Sequence, residues 1–156
     1  MLTIDVPGWK PLVLTHLFLD FNGTLALDGT ILPGVAEQLM DLSRDLDIHV
    51  LTADTFGSVR AELGAIPCVL AIIPPGNQAR AKAEYLQTFD PAGSVAVGNG
   101  RNDALLLQQA ALGIALLQEE GAAPQTLAAA DVVCRSIRDA LDLLRNPLRL
   151  AATLRD

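Results

Sequence analysis

The sequence predicts an α/β domain, a doubly wound parallel sheet with helices on both faces and no cap domain. Three observations predict it. Short β-rich runs alternate with helical patterns along the chain, which gives a layered α/β order. The runs are continuously apolar rather than alternating, as strands buried on both faces are. Polar residues follow the informative runs directly, at the strand ends where such sheets bind ligands.

The elements follow in chain order. Leu2–Val6 and Leu12–Leu14 flank a Pro7-Gly8 turn and predict an N-terminal hairpin within residues 1–15. The strand candidates are Leu17–Phe21, Ile48–Thr52, Cys68–Ile73, Ser94–Gly98, Gly113–Leu116 and Asp131–Cys134. Leu25–Leu32, with Asp28-Gly29 at its centre, reads as a short flap or hairpin. Pro33–Leu46 has proline in its first turn and sets Val35, Leu39 and Leu42 on one face, a helix. Ala79–Thr88 and Asn102–Ala111 are further helices. Ser136–Leu144 opens with Ser136 and Asp139 at capping-box spacing and presents Ile137, Leu141 and Leu144 to the core. No linker or repeat divides the 156 residues, so one domain is expected over 1–156.

Composition narrows the function. Hydrophobic residues are 51% of the chain and charged residues 19%, which excludes disorder as the main state. Aromatic residues are only 4%, so the core is aliphatic. The net charge is −7, which argues against a nucleic-acid partner. The acidity belongs to residues 1–78; Arg135, Arg138, Arg145, Arg149 and Arg155 make the last segment mildly basic, as a solvated helix face. Cys68 and Cys134 sit in apolar runs and read as buried thiols, not a disulfide or metal pair. Neither a signal peptide nor a membrane span is visible, so a cytoplasmic location and no membrane partner are expected.

Four segments carry chemistry. In LFLDFNGTLALDG, Asp20 ends a strand before a glycine-containing loop, the placement of an exposed but rigidly aimed nucleophile. The amides of Gly23 and Thr24 could hold an anion there. In HVLTADT, the Thr52 hydroxyl at a strand end could bond a phosphoryl oxygen without adding charge; a helix cap at Asp54 is the structural alternative. Lys82, in QARAKAEYL, could neutralise a bound phosphate. In VAVGNGRNDALLL, two glycines permit a tight turn, and Asp103 could join Asp20 on Mg²⁺ or simply complement a helix dipole. His16 and His49 lie inside strand candidates and read as structural. Trp9 and the N-terminal hairpin have no assigned role.

The ordered set resembles the haloacid dehalogenase (HAD) superfamily, and most closely the phosphorylation domain of P-type ATPases. Their D-K-T-G-T-L loop stands here as Asp20-Phe21-Asn22-Gly23-Thr24-Leu25, their T-G-D as Thr52-Ala53-Asp54, their lysine as Lys82, and their G-D-G-x-N-D as Gly98-Asn99-Gly100-Arg101-Asn102-Asp103. The resemblance runs from His16 onward. It implies a Rossmann-like core, Mg²⁺ and an aspartyl-phosphate on Asp20. Thr52, Ala53, Lys82, Gly23 and Thr24 would surround the phosphoryl group. Asp20, the Asn22 carbonyl, Asn99 and Asp103 would surround the metal.

The chain departs from the pattern in three ways. HAD phosphatases usually carry an acid/base aspartate two residues after the nucleophile; Asn22 cannot exchange a proton. Such proton transfer contributes about 10²–10⁴ in rate, so dephosphorylation is expected to be slow. Asn99 replaces a metal-binding aspartate. The transporters insert a nucleotide-binding domain where Leu25–Asp47 holds only a flap and one helix. An open site follows, unless another subunit of a homo-oligomer covers it.

Two readings result. The first is a Mg²⁺-dependent phosphohydrolase or phosphotransferase acting on a small-molecule phosphate ester, an acyl phosphate or a phosphoprotein. The second is a non-catalytic phosphate- or phosphoprotein-binding regulatory protein with a degenerate site. A dinucleotide-binding domain is disfavoured, because no G-x-G-x-x-G follows the first strand.

Overall fold

A computed structural model describes residues 1–54 and 57–156. The central sheet has six strands: β3 (His16–Asp20), β6 (Asp47–Thr52), β7 (Val69–Ile72), β8 (Ser94–Gly98), β9 (Leu112–Leu116) and β10 (Val132–Cys134). Their order is β10-β9-β8-β3-β6-β7, and every neighbouring pair is parallel. Two small antiparallel pairs complete the strands, β1 (Leu2–Ile4) with β2 (Leu12–Leu14) and β4 (Ala26–Leu27) with β5 (Thr30–Ile31). The hairpin and the flap are therefore present. The helices are α1 (Val35–Leu42), α2 (Ser58–Leu63), α3 (Gln78–Gln87), α4 (Ala104–Gln109), α5 (Pro124–Ala129), α6 (Ile137–Arg145) and α7 (Pro147–Leu154).

Successive strand residues face opposite sides of the sheet, and both sides are covered over β3, β6, β8 and β9, while Val69 and Ile72 of β7 and Val133 of β10 are exposed at the edges. Leu17, Leu19, Ile48, Val50, Val95, Val97, Leu112 and Ile114 pack into one core layer with Val35 and Leu39 of α1 and Ile137 and Leu141 of α6. Phe18, Leu51, Ala96 and Ala115 join the other, with Leu86 of α3 and Leu106 and Leu107 of α4. In the second layer the strand residues nearest α4, Ala96 and Ala115, are small. A Cβ on Gly113 would stand 2.7 Å from the Leu107 carbonyl oxygen, so glycine there lets α4 lie close against the sheet.

The element boundaries differ from the expected ones where local hydrogen bonding intervenes. β3 ends at Asp20, not Phe21, because the Phe21 carbonyl accepts from the amides of Thr24, Leu25 and Ala26 and so turns the chain. The Pro33–Leu46 helix contracts to α1, which starts after Gly34 at φ 81. Asn102–Ala111 opens as a 3₁₀ turn over Arg101–Asp103 before α4. Gly57 occupies the N-cap of α2, and the Asp54 carboxylate accepts from the Ser58 hydroxyl at 2.6 Å. Helices α2 and α5 have six residues each, too few to register as a 3.6-residue pattern.

The two histidines are part of the aromatic packing at the opposite end of the sheet from Asp20. His49 stacks on Phe18 at 4.6 Å and 12°, and its ring nitrogens meet Tyr85 Oη at 3.1 Å and His16 Nδ1 at 3.3 Å. Burial, reinforced by His16, pushes the His49 pKa down to about 4, so the ring is neutral at physiological pH. Both cysteines are free thiols; Cys134 is buried and Cys68 half-buried. No helix among the described residues is long and apolar enough to cross a membrane.

Candidate active site

Asp20 closes the central strand β3, Thr52 closes β6 on one side of it, and Asn99 follows β8 on the other. The chain runs from β3 through β6 to β7 on one side of it and then crosses to β8, β9 and β10 on the other, so a crevice opens at the carboxyl ends where the order reverses. Asp20, Asn22, Thr52, Ala53, Lys82 and Asn99 line one cleft of about 460 Å³, together with Asp54, Gln78, Gly100, Asn102 and Glu120.

Lys82 is the organising cation. It lies within α3, whose N-cap Asn77 accepts from the Arg80 amide at 3.1 Å. Its Nζ is 2.6 Å from Asp20 Oδ1 and 2.7 Å from Asp103 Oδ1. Lys82 is 1% exposed and Asp103 is fully buried, so the pairing takes place away from solvent. Burial opposes the ammonium charge, but the two carboxylates outweigh it and raise the Lys82 pKa. For Asp20 the balance is reversed. Burial and then the Asp103 charge push its carboxyl up to about 7, with Lys82 only partly offsetting them.

Asp103 is held from both sides. Its Oδ2 accepts from the amides of Asn99 at 3.1 Å and Gly100 at 2.9 Å, while Oδ1 takes Lys82. Gly98 is required for this tuck, since a Cβ there would lie 2.5 Å from the Asp103 carboxyl.

Thr24 is fully buried, and its hydroxyl reaches Asp20 Oδ2 at 3.3 Å and Asn99 Oδ1 at 3.5 Å. Asn99 is oriented by its Nδ2, which donates to the Gly121 carbonyl at 3.0 Å. Two acceptor oxygens, one of a carboxyl and one of an amide, thus converge at long range on the one proton of the Thr24 hydroxyl. Hard oxygen donors with unused lone pairs suit Mg²⁺, which also retains water ligands. Asp20 and Asn99 could hold such an ion with the Asn22 main-chain carbonyl. Among the described residues no cluster of three or more His, Cys, Asp or Glu side chains is arranged around a metal position.

Thr52 Oγ1 accepts from the Asp54 amide at 3.1 Å, which leaves its own proton to donate into the cleft. The amides of Gly23 and Thr24 are committed elsewhere. Gly23 N donates to the Ala26 carbonyl at 2.8 Å and Thr24 N to Phe21 at 3.2 Å. The expected anion cradle of these two amides is corrected: the tight turn that aims Asp20 uses them internally.

Sequence reasoning did not single out the segment after β9. Gln118 donates to the carbonyls of Gly23 and Thr24, both at 2.9 Å, and accepts from the Ile137 amide at 2.9 Å. It straps the loop after Asp20 to the start of α6. Glu120 lies against Gly23 in the cleft. The rule that located Asp20, Thr52 and Asn99 applies equally to the Gln118-Glu119-Glu120 run just beyond Leu116.

Known proteins bear on this arrangement. No family model matches the sequence. The uncharacterized protein MJ0073 of Methanocaldococcus jannaschii is 53% identical over 62 residues, 40% of this chain and 67% of that protein. The uncharacterized protein MJ0072 of the same organism is 49% identical over 39 residues, 25% of this chain and 89% of that protein. The chain belongs to the family of these two proteins. Among solved structures, the 3-deoxy-D-manno-octulosonate 8-phosphate phosphatase of Moraxella catarrhalis, in complex with magnesium, phosphate and KDO, superposes with TM-score 0.66 at 15% identity, over 91% of this chain and 94% of that one. The cobalt-bound phosphatase of the same name from Haemophilus influenzae gives 0.68 at 13% identity, over 90% and 92%.

A putative HAD family hydrolase of Streptomyces avermitilis superposes with TM-score 0.70 at 19% identity, over 91% of this chain and 92% of that one. This chain has the haloacid dehalogenase fold.

A further HAD-fold neighbour, the Yersinia pestis 3-deoxy-D-manno-octulosonate 8-phosphate phosphatase, gives a TM-score of 0.60 at 23% identity, over 90% of this chain and 84% of that one. The insertion after β3 is limited in this protein to the β4–β5 flap and α1.

Proposed function

We propose that this HAD-fold protein is a Mg²⁺-dependent phosphohydrolase or phosphotransferase that forms an aspartyl-phosphate on Asp20. The single observation that carries the reading is Lys82, buried between Asp20 and Asp103 at the floor of a polar cleft. A lysine held there at a cost in desolvation has a function in charge neutralisation. The solved neighbours from Moraxella catarrhalis and Haemophilus influenzae are octulosonate 8-phosphate phosphatases with magnesium and cobalt bound, and they support a divalent metal and a small-molecule phosphate ester substrate.

Asp20 Oδ attacks phosphorus, the phosphorus–oxygen bond to the leaving group breaks, and the phosphoryl group stays on Asp20. Lys82 and the Thr52 hydroxyl stabilise its charged oxygens. Asp103 takes no part in bond making and holds Lys82 and the Asn99-Gly100 turn in position. Bound by Asp20, Asn99 and the Asn22 carbonyl, Mg²⁺ would neutralise charge on the phosphoryl group and on Asp20. Asn22 gives no proton to the leaving oxygen, which favours donors whose leaving group is already a weak base, such as acyl phosphates. For the same reason residue 22 does not assist hydrolysis of the phosphoenzyme.

Intact-mass analysis after incubation with Mg²⁺ and a donor panel including acetyl phosphate and sugar phosphates tests this. A phosphoryl adduct or turnover lost in Asp20→Asn is expected. Neither appearing with any donor would end the catalytic reading. The amides at Asn22 and Asn99 favour one competing reading, a phosphate- or phosphoprotein-binding regulator, which predicts anion binding without turnover and no gain from Asn22→Asp.

A further inference from the structure

Asn22 leaves the second half of the reaction without a base, and the structure offers a carboxylate at that loop from another direction. We propose that Glu120 accepts the proton of the water that hydrolyses the aspartyl-phosphate. The proposal rests on the Asp20 reading above and adds a residue to it.

Three observations converge on Glu120. It lines the same cleft as Asp20, Asn22 and Thr52. Its carboxylate lies directly over the nucleophile loop, since a Cβ built on Gly23 would be 2.4 Å from Glu120 Oε2 and 2.8 Å from the Asn99 amide atoms. Gly23, at φ +79 and without a side chain, thus leaves the space that the Glu120 carboxylate occupies next to Asn22 in the chain. The segment that carries it is fixed on both sides. Gln118 donates twice to the nucleophile loop, and Asn99 Nδ2 holds the Gly121 carbonyl at 3.0 Å. A glutamate at a loop tip is ordinarily only solvated. Here the flanking residues tie it to the two strand ends where the chemistry takes place.

The step balances. The water oxygen forms a bond to phosphorus as the bond from phosphorus to Asp20 Oδ breaks. Asp20 leaves as a carboxylate, inorganic phosphate is released, and the water proton passes to the Glu120 carboxylate and then to solvent. A base in this position contributes about 10²–10⁴ in rate.

The test follows the phosphoenzyme by intact mass in the full chain, with acetyl phosphate and Mg²⁺. Glu120→Gln keeps the size of an exposed side chain. It is expected to form the adduct as the unsubstituted protein does and to lose it at least 10²-fold more slowly. Asn22→Asp in the Glu120→Gln background is expected to restore decay, because it returns a carboxylate to the same loop. The gain from Asn22→Asp should be larger in that background than in the unsubstituted protein. Adduct decay unchanged in Glu120→Gln overturns the proposal and leaves the Asp20 reading intact. A shift in the Mg²⁺ concentration needed for adduct formation also overturns it, since the carboxylate would then act on the metal. No adduct in the unsubstituted protein with any donor, and no turnover, removes the Asp20 reading and this proposal together.

Discussion

Lys82 Nζ stands 2.6 Å from Asp20 Oδ1, an ion pair that joins the middle of a helix to the end of the central strand. Asp103 shares the same ammonium at 2.7 Å, so one positive charge serves two carboxylates. This imbalance governs both the chemistry and the stability of the site.

Removing the cation should therefore be costly. Lys82→Met leaves Asp20 and Asp103 facing each other in a buried setting. Breaking a buried pair by deleting one partner costs about 3–5 kcal/mol. Urea denaturation should give a loss in that range at pH 7. The loss should shrink at pH 5, where Asp20, its carboxyl pushed up to about 7, can take up a proton in place of the lysine. A loss independent of pH would mean that the damage is to packing alone. No phosphoryl adduct is expected from this variant.

The raised pKa of Asp20 makes a separate claim about pH. The group titrates near 3.8 when exposed and about 7 in the folded protein. Between these values the native state binds a proton that the unfolded state has released. Stability from this group therefore falls as pH rises from about 4 to 7, and above 7 the full penalty is present. In the absence of metal, Asp20→Asn should have little effect near pH 4 and should raise the melting temperature at pH 8. Mg²⁺ should raise the pH 8 melting temperature of the unsubstituted protein by favouring ionised Asp20, and should do so less in Asp20→Asn. Thermal scans at the two pH values, with and without Mg²⁺, decide it. A stabilisation by Asp20→Asn that is equal at pH 4 and pH 8 would contradict the electrostatic account.

The sheet was legible in the sequence because its strands are buried on both faces. Runs such as VAVG and LGIAL admit no other reading once glycines and helical patterns bound them. Asp20, Thr52 and Asn99 were legible for a related reason, since polar groups directly after apolar strands mark one edge of one sheet. Lys82 has no local signal. Its significance depends on α3 and α4 packing side by side over the same core layer, a long-range fact. Hydrogen-bond partners were not legible either. Gly23 and Thr24 looked like free amide donors, yet the turn consumes both. Gln118 and Glu120 were passed over because polar residues in a loop are ordinarily solvated, and only the fold brings them back to residues 23 and 24.

Two glycines next to the sheet should respond differently to the same change. Gly98→Ala directs a methyl 2.5 Å from the Asp103 carboxyl, whereas Gly113→Ala directs one 2.7 Å from the Leu107 carbonyl oxygen. Overpacking of this kind costs about 1–3 kcal/mol, so both variants should lose stability. Only Gly98→Ala should lose phosphorylation beyond what its stability explains, because it displaces the residue that holds Lys82. Adduct yield measured on folded protein, with circular dichroism to match folding, separates the two. Equal residual yields would show that Asp103 need not be held where it is.

Gln118 gives the sharpest test of how the nucleophile loop is aimed. Its amide nitrogen serves the carbonyls of Gly23 and Thr24, and its oxygen takes the Ile137 amide at the first residue of α6. Gln118→Ala leaves three backbone groups without these partners. Each unsatisfied buried group costs about 1–3 kcal/mol, reduced wherever water can enter. The half-buried setting of Gln118 admits water, so a total loss of about 1–3 kcal/mol is expected from denaturant unfolding. The informative readout is local. Hydrogen exchange should quicken in residues 21–26 and at Ile137 together, although the two segments are far apart in sequence. Gln118→Glu keeps the acceptor to Ile137 but loses both donors, so it should protect Ile137 and still release the nucleophile loop. Protection of residues 21–26 retained in both variants would mean that the bonds to Phe21 and Ala26 suffice to hold the turn.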